Sequence, residues 1–203
     1  MISIFKKNKS IGNKRGMTYV ELIVVLSIFF IMSGVVLGNY GSFQKKIEIK
    51  NLANDIAQTI LKAQKDSIAG LNGDSFIAPS KPSYGIYFDT SDDAAKAQFI
   101  YFADKNNAGY FVTPSSSPAI PINKGNKIDK LVIADCHRHE QTTPNLSIVF
   151  RRPNSIAYMH PGGNVQLAVG CPAMYSNIYI ASSDASVPDA IITIESTGAI
   201  SIN

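Results

Sequence analysis

The sequence predicts an α+β protein, with a long N-terminal α-helix packed on an antiparallel β-sheet head. Three observations predict it. Residues 22–37 form an uncharged apolar run, residues 43–69 repeat apolar side chains at three- and four-residue steps, and after Gly73 short β-rich runs alternate with turn residues. The 203 residues and 22.0 kDa suit one ordinary domain plus an appendage. A hydrophobic content of 45%, a charged content of 17% and a mean hydropathy of +0.05 exclude wholesale disorder. Two cysteines are too few for a disulfide-dense miniprotein.

The N-terminal element comes first. Leu22 to Leu37 reads LIVVLSIFFIMSGVVL; with its flanks from Met17 to Tyr40 it reaches the ~20 residues that a bilayer-crossing helix needs. The net charge of +4 divides unevenly. Lys6, Lys7, Lys9, Lys14 and Arg15 precede the apolar run with no acid among them, and the remainder carries 14 basic and 15 acidic residues. The basic tag favours a cytoplasmic N-terminus and an extracytoplasmic body. The body has no excess positive charge to attract nucleic acid. Glu21 stands out, because a carboxylate inside an apolar segment costs a few kcal/mol and marks a functional residue by default.

Lys14-Arg15-Gly16-Met17-Thr18-Tyr19-Val20-Glu21-Leu22 resembles the type III signal of type IV pilins and of the pseudopilins of type II secretion. The resemblance is strongest over residues 10–70. It implies a pilin-like fold, cleavage by prepilin peptidase between Gly16 and Met17, and N-methylation of Met17. It also implies that Glu21, fifth in the mature chain, registers each subunit against the N-terminal amine of a neighbour. Met17 stands where the family more often has Phe. Gly34 and Gly38 form a G-x-x-x-G; the pattern is read either as close helix packing or as two small residues without consequence. Two plainer readings compete: a secretory signal cut near Val36-Leu37-Gly38, leaving Asn39 first, and an uncleaved signal anchor starting at Met1. Glu21 argues against the first.

The helix continues as an amphipathic segment. Ile49, Leu52, Ala53, Ile56, Ile60, Ala63 and Ser67 form its apolar stripe, while Lys50, Asp55, Lys62 and Asp66 lie mostly off it. Gly70 and Leu71-Asn72-Gly73-Asp74 supply the stop. A helix over about 18–69 would make a rod of roughly 75 Å.

The head follows. Strands are expected at Tyr84–Phe88, Gln98–Ala103, Leu131–Ala134, Leu146–Phe150, Ser155–Met159, Val165–Val169, Ile178–Ala181, Ala190–Glu195 and Ala199–Ile202. Thr197-Gly198 marks a hairpin, and His160-Pro161-Gly162-Gly163-Asn164 a turn. Pro114, Pro118 and Pro121 mark a loop. Within the resembled family, Ser147–Phe150, Ser155–Met159 and the tail Ile191–Ile202 are similar to strands of the GspH/FimT type of minor pseudopilin.

The expected organisation is a leader at 1–16, a transmembrane or fibre-core helix at 17–40, its amphipathic continuation at 41–70 and an extracytoplasmic head at 71–203. Cys136 and Cys171 would then meet an environment that permits a disulfide. Two buried thiols and a metal site are the alternatives. Cys136-His137-Arg138-His139-Glu140 crowds ligand types, His160 and Cys171 extend the set, and on a strand His137 and His139 would share a face. The spacings typical of structural zinc are missing, so no metal or other cofactor is assigned. Asp92-Asp93 reads as a solvated acidic pair. Arg151-Arg152 is an adjacent basic pair that a DNA-binding reading would use. No G-x-S-x-G, P-loop or H-E-x-x-H motif occurs, and no enzyme is expected.

These readings converge on a non-catalytic structural subunit of a type IV pilus or type II secretion pseudopilus. Its expected partners are prepilin peptidase, other pilin or pseudopilin subunits, the inner-membrane assembly platform and, before assembly, membrane lipid. Nucleic acid is not favoured. The alternatives are a DNA-uptake minor pilin acting as a binding module, and an extracytoplasmic metal-binding protein.

Overall fold

A computed structural model describes residues 16–70, 82–112, 117–151, 153, 155–167 and 170–203. The leader at 1–15, the 71–74 stop segment, Pro114, Arg152 and the 168–169 end of the expected Val165–Val169 strand lie outside the described residues. The fold is α+β, with one long N-terminal helix and two antiparallel five-stranded sheets. Helix α1 runs Tyr19–Ala69 and stops at Gly70, whose φ of +61° is a left-handed conformation that glycine adopts without steric penalty. The chain divides into two compact units between Gly41 and Ser42, so residues 42–69 of α1 belong with the sheets.

The first sheet has the order β3-β2-β1-β6-β7, with β1 at Ser83–Asp89, β2 at Gln98–Asp104, β3 at Ala119–Pro121, β6 at Asn145–Phe150 and β7 at Ala157–Pro161. The second has the order β10-β9-β8-β4-β5, with β4 at Lys127–Ala134, β5 at Glu140–Thr143, β8 at Tyr175–Ala181, β9 at Ala190–Glu195 and β10 at Ile200–Ile202. Period-two alternation sorts the strands onto a common core. Tyr84, Ile86 and Phe88 of β1 meet Ile148 and Phe150 of β6, Ile178 and Ile180 of β8, and Ile192 and Ile194 of β9 in one cluster with the helix residues Ile49, Ala53, Ile56, Ile60 and Ala63. The helical stripe is therefore core packing.

A bulge in β4 keeps this core continuous. The register with β8 shifts between Ile128 and Lys130. Ile128 and Leu131 are an odd number of residues apart, yet both are fully buried, because the extra residue turns the strand by one step. The opposite face of the first sheet is covered by Phe111, which stacks on Tyr87 at 4.6 Å and meets Phe102 edge-on at 5.2 Å. Gly85 admits Phe102 there, since a Cβ on it would lie 3.0 Å from Phe102 Cζ.

Several expectations are corrected. Val165 and Leu167 are partly buried and pack on the core, but residues 165–167 are irregular. Their alternation serves packing without a ladder. The Pro118–Pro121 segment carries the edge strand β3, where Pro121 needs no ladder donor. Asp92 and Asp93 are exposed, as expected of a solvated pair, and Asp92 in addition caps a one-turn helix, α2 (Asp93–Lys96), by accepting the Ala95 N–H at 2.7 Å. His137 and His139 lie in the β4–β5 turn, so strand alternation does not align them.

Candidate functional site

Two places carry most of the residues singled out by sequence. The first is the start of α1. Gly16 and Met17 are exposed and non-helical. Thr18 is the N-cap: its hydroxyl accepts the Glu21 N–H at 3.2 Å, and its carbonyl accepts the Leu22 N–H at 3.1 Å. Glu21 thus occupies the third helical position, where a carboxylate favours the positive end of the helix dipole. Thr18-x-x-Glu21 is the sequence pattern of a capping box, a signal that sequence reading passed over.

Every large apolar side chain from Met17 to Leu37 is exposed, Phe29 by 70% and Phe30 by 82%. Leaving sixteen such side chains in water forfeits on the order of tens of kcal/mol of transfer free energy. An apolar surface of this extent is of the kind that marks a contact with membrane or protein. Among the described residues, α1 is the one helix long and apolar enough to cross a membrane, and its most apolar 18-residue window has a mean hydropathy of 2.7. Beyond its own helical turn and chain neighbours, a Cβ at Gly34 would meet nothing within 4 Å among the described residues.

The second place is the turn between β4 and β5. Cys136 and Cys171 are joined as a disulfide, with Cα atoms 5.3 Å apart. Asp135, buried at the end of β4, organises the turn. One of its carboxylate oxygens accepts the N–H groups of His137 at 2.8 Å and His139 at 2.9 Å, and its carbonyl accepts the Arg138 N–H at 2.9 Å. Arg138 adopts φ +64° to complete the turn. The N–H of His139, with that of His137, holds the Asp135 carboxyl below the usual carboxylate range against the opposing effect of burial. His139 Nδ1 lies 3.3 Å from the other Asp135 oxygen. The His137 ring stacks on that of His139 at 5.9 Å, and His137 Nδ1 sits 3.5 Å from Cys136 Sγ and 3.6 Å from Cys171 Sγ. While the sulfurs are bonded to each other, neither is a thiolate ligand.

His160 lies elsewhere. It is on β7, and its ring packs on Tyr110 at 4.9 Å. Arg151 places its guanidinium over the Tyr158 ring at 5.1 Å and donates to the Asn107 carbonyl at 3.3 Å. Asp135 escaped the sequence reading, although an Asp two residues before a turn polar group is an Asx-turn signal.

Compared with protein-family models, with curated proteins and with solved structures, the chain matches none.

Proposed function

We propose that this chain is a single-helix membrane subunit that enters a larger helical assembly. More particularly, it is a minor pilin or pseudopilin of the GspH/FimT type. Prepilin peptidase removes residues 1–16 and N-methylates Met17. Helix α1 then holds the subunit in the cytoplasmic membrane, with the head extracytoplasmic, until the assembly platform passes it into a pilus or pseudopilus beside other subunits.

One observation carries the reading: a single α-helix exposes every large apolar side chain from Met17 to Leu37, then buries Ile49, Ala53, Ile56, Ile60 and Ala63 in the core of a β-rich head. A signal peptide cut near Gly38 does not require that second half. The cleavage segment supports the reading further, since Gly16 and Met17 are exposed ahead of a capped helix start. No catalytic step is assigned.

Intact mass and N-terminal sequencing of membrane-extracted protein test it. The expected mature chain starts at methylated Met17, and Gly16→Ala retains the leader. A chain starting at Met1 or Asn39 in cells with active prepilin peptidase overturns it.

A further inference from the structure

We propose that reduction of the Cys136–Cys171 disulfide opens a zinc site made of Cys136 Sγ, Cys171 Sγ and His137 Nδ1, with water completing the tetrahedron. The inference stands on the turn between β4 and β5 and does not rest on the assembly reading.

The geometry carries it. With Zn–S bonds of ~2.3 Å and a Zn–N bond of ~2.0–2.1 Å, tetrahedral angles separate sulfur from nitrogen by about 3.5 Å. His137 Nδ1 already stands 3.5 Å and 3.6 Å from the two sulfurs. The three ligand atoms lie within 4.8 Å of one another. Once the bond between them is reduced, the sulfurs need only part to ~3.7 Å while each keeps its present distance from the imidazole.

The backbone that carries the imidazole is held independently of the disulfide, and its ring rests on that of His139 at 5.9 Å. Asp135 fixes the backbone of His137 and His139 through two N–H bonds to one oxygen, and the left-handed Arg138 closes the turn. The turn that presents the ligand therefore keeps its backbone when the sulfurs separate. Cys171 is almost fully buried, whereas Cys136 and His137 are exposed, which leaves an open side for the ion and its water. The N–H of Cys136 points at Cys171 Sγ over 2.9 Å, a donor that stabilises a thiolate there. Two thiolates and a neutral imidazole balance the charge of Zn²⁺, and the set of two cysteines, one histidine and a water is an attested zinc coordination.

The redox step needs an external two-electron reductant, a dithiol or a phosphine. With a phosphine, the disulfide takes two electrons and two protons to give two thiols. The phosphine becomes its oxide with oxygen from water. Zinc binding then releases the two thiol protons.

The experiment uses the full chain in detergent, reduced by a water-soluble phosphine under argon and titrated with Co²⁺ and then Zn²⁺. One equivalent of Co²⁺ is expected to give thiolate charge-transfer and tetrahedral d–d bands, which Zn²⁺ abolishes. The disulfide form should give neither. His137→Ala should weaken zinc binding by at least about tenfold while both thiols remain reactive to a thiol reagent, and His160→Ala should leave it unchanged. Near-UV circular dichroism follows the head throughout. Absence of the d–d bands, equal affinity in His137→Ala, or a reduced head that has lost its tertiary signal and does not regain it with zinc would each overturn the proposal.

Discussion

The hydroxyl of Ser67 accepts the N–H of Tyr84 at 2.7 Å and donates to the carbonyl of Phe150 at 2.7 Å. One buried serine in the last turn of α1 thus meets both β1 and β6. A larger apolar residue at this end of the stripe would leave those backbone groups without their helix partner. Ser67→Ala is expected to destabilise the protein by about 1–3 kcal/mol. Urea denaturation followed by circular dichroism reads this as a lower midpoint with an unchanged slope.

The alkaline limit of stability should be set by two tyrosines. Burial, then the Asp89 carboxylate, pushes the Tyr87 hydroxyl up to about 12 from its ordinary 10.0. Burial, then the hydrogen bond to Asp66, raises Tyr101 as well. The folded state therefore keeps protons that the unfolded chain releases near pH 10. Their contribution is complete below about pH 10 and is lost as the pH rises through the folded values. Phe at both positions should flatten the fall in thermal midpoint above about pH 10; an equally steep fall in the double variant would contradict this assignment.

Removal of the disulfide should be costly because the closed loop is long. The bridge joins residues 35 apart in sequence, and the chain-entropy estimate for such a loop is about 3–4 kcal/mol. The Cys136→Ser, Cys171→Ser double variant is expected to lose that amount in denaturant titration at pH 7.

The helix start offers a direct separation of two roles for Glu21. On the proposed function, Glu21→Ala should leave processing and membrane insertion intact while lowering recovery in sedimented fibres by at least about tenfold. Glu21→Gln keeps the capping-box acceptor and removes the charge. Fibre recovery equal to wild type in the Gln variant would reduce Glu21 to a capping residue; continued failure supports pairing with a neighbour's amine.

Much of this fold is legible because its pattern is strongly periodic. The α1 stripe from Ile49 to Ser67 repeats at helical steps, β8 and β9 alternate in burial, and β1, β2 and β6 are short runs rich in aromatic and branched residues. Gly198, at φ +87° with the Ser155 carbonyl oxygen 2.2 Å from where a Cβ would lie, makes the β9–β10 hairpin visible as Thr197-Gly198. Edge elements are harder to read. β5 is Glu-Gln-Thr-Thr and β3 is Ala-Ile-Pro, neither of which looks like a buried strand. Pairing there comes from a neighbour's free ladder and not from local preference. At the candidate site, the sequence supplies Cys136, His137 and Cys171 but not their convergence, which depends on β4 and β8 lying side by side.

The bridge between Cys136 and Cys171 also has a mechanical meaning. Both ends flank strands of the second sheet, Cys136 after β4 and Cys171 before β8, yet β6 and β7 of the first lie inside the loop it closes, while β1 and β2 lie outside. Under an axial load on the two termini, the oxidised chain withholds about 120 Å of contour as a covalent tether. Reduction surrenders that slack. Optical-trap extension with and without a phosphine should therefore differ by roughly this length, making the bridge a limit on how far the pulled chain can unravel.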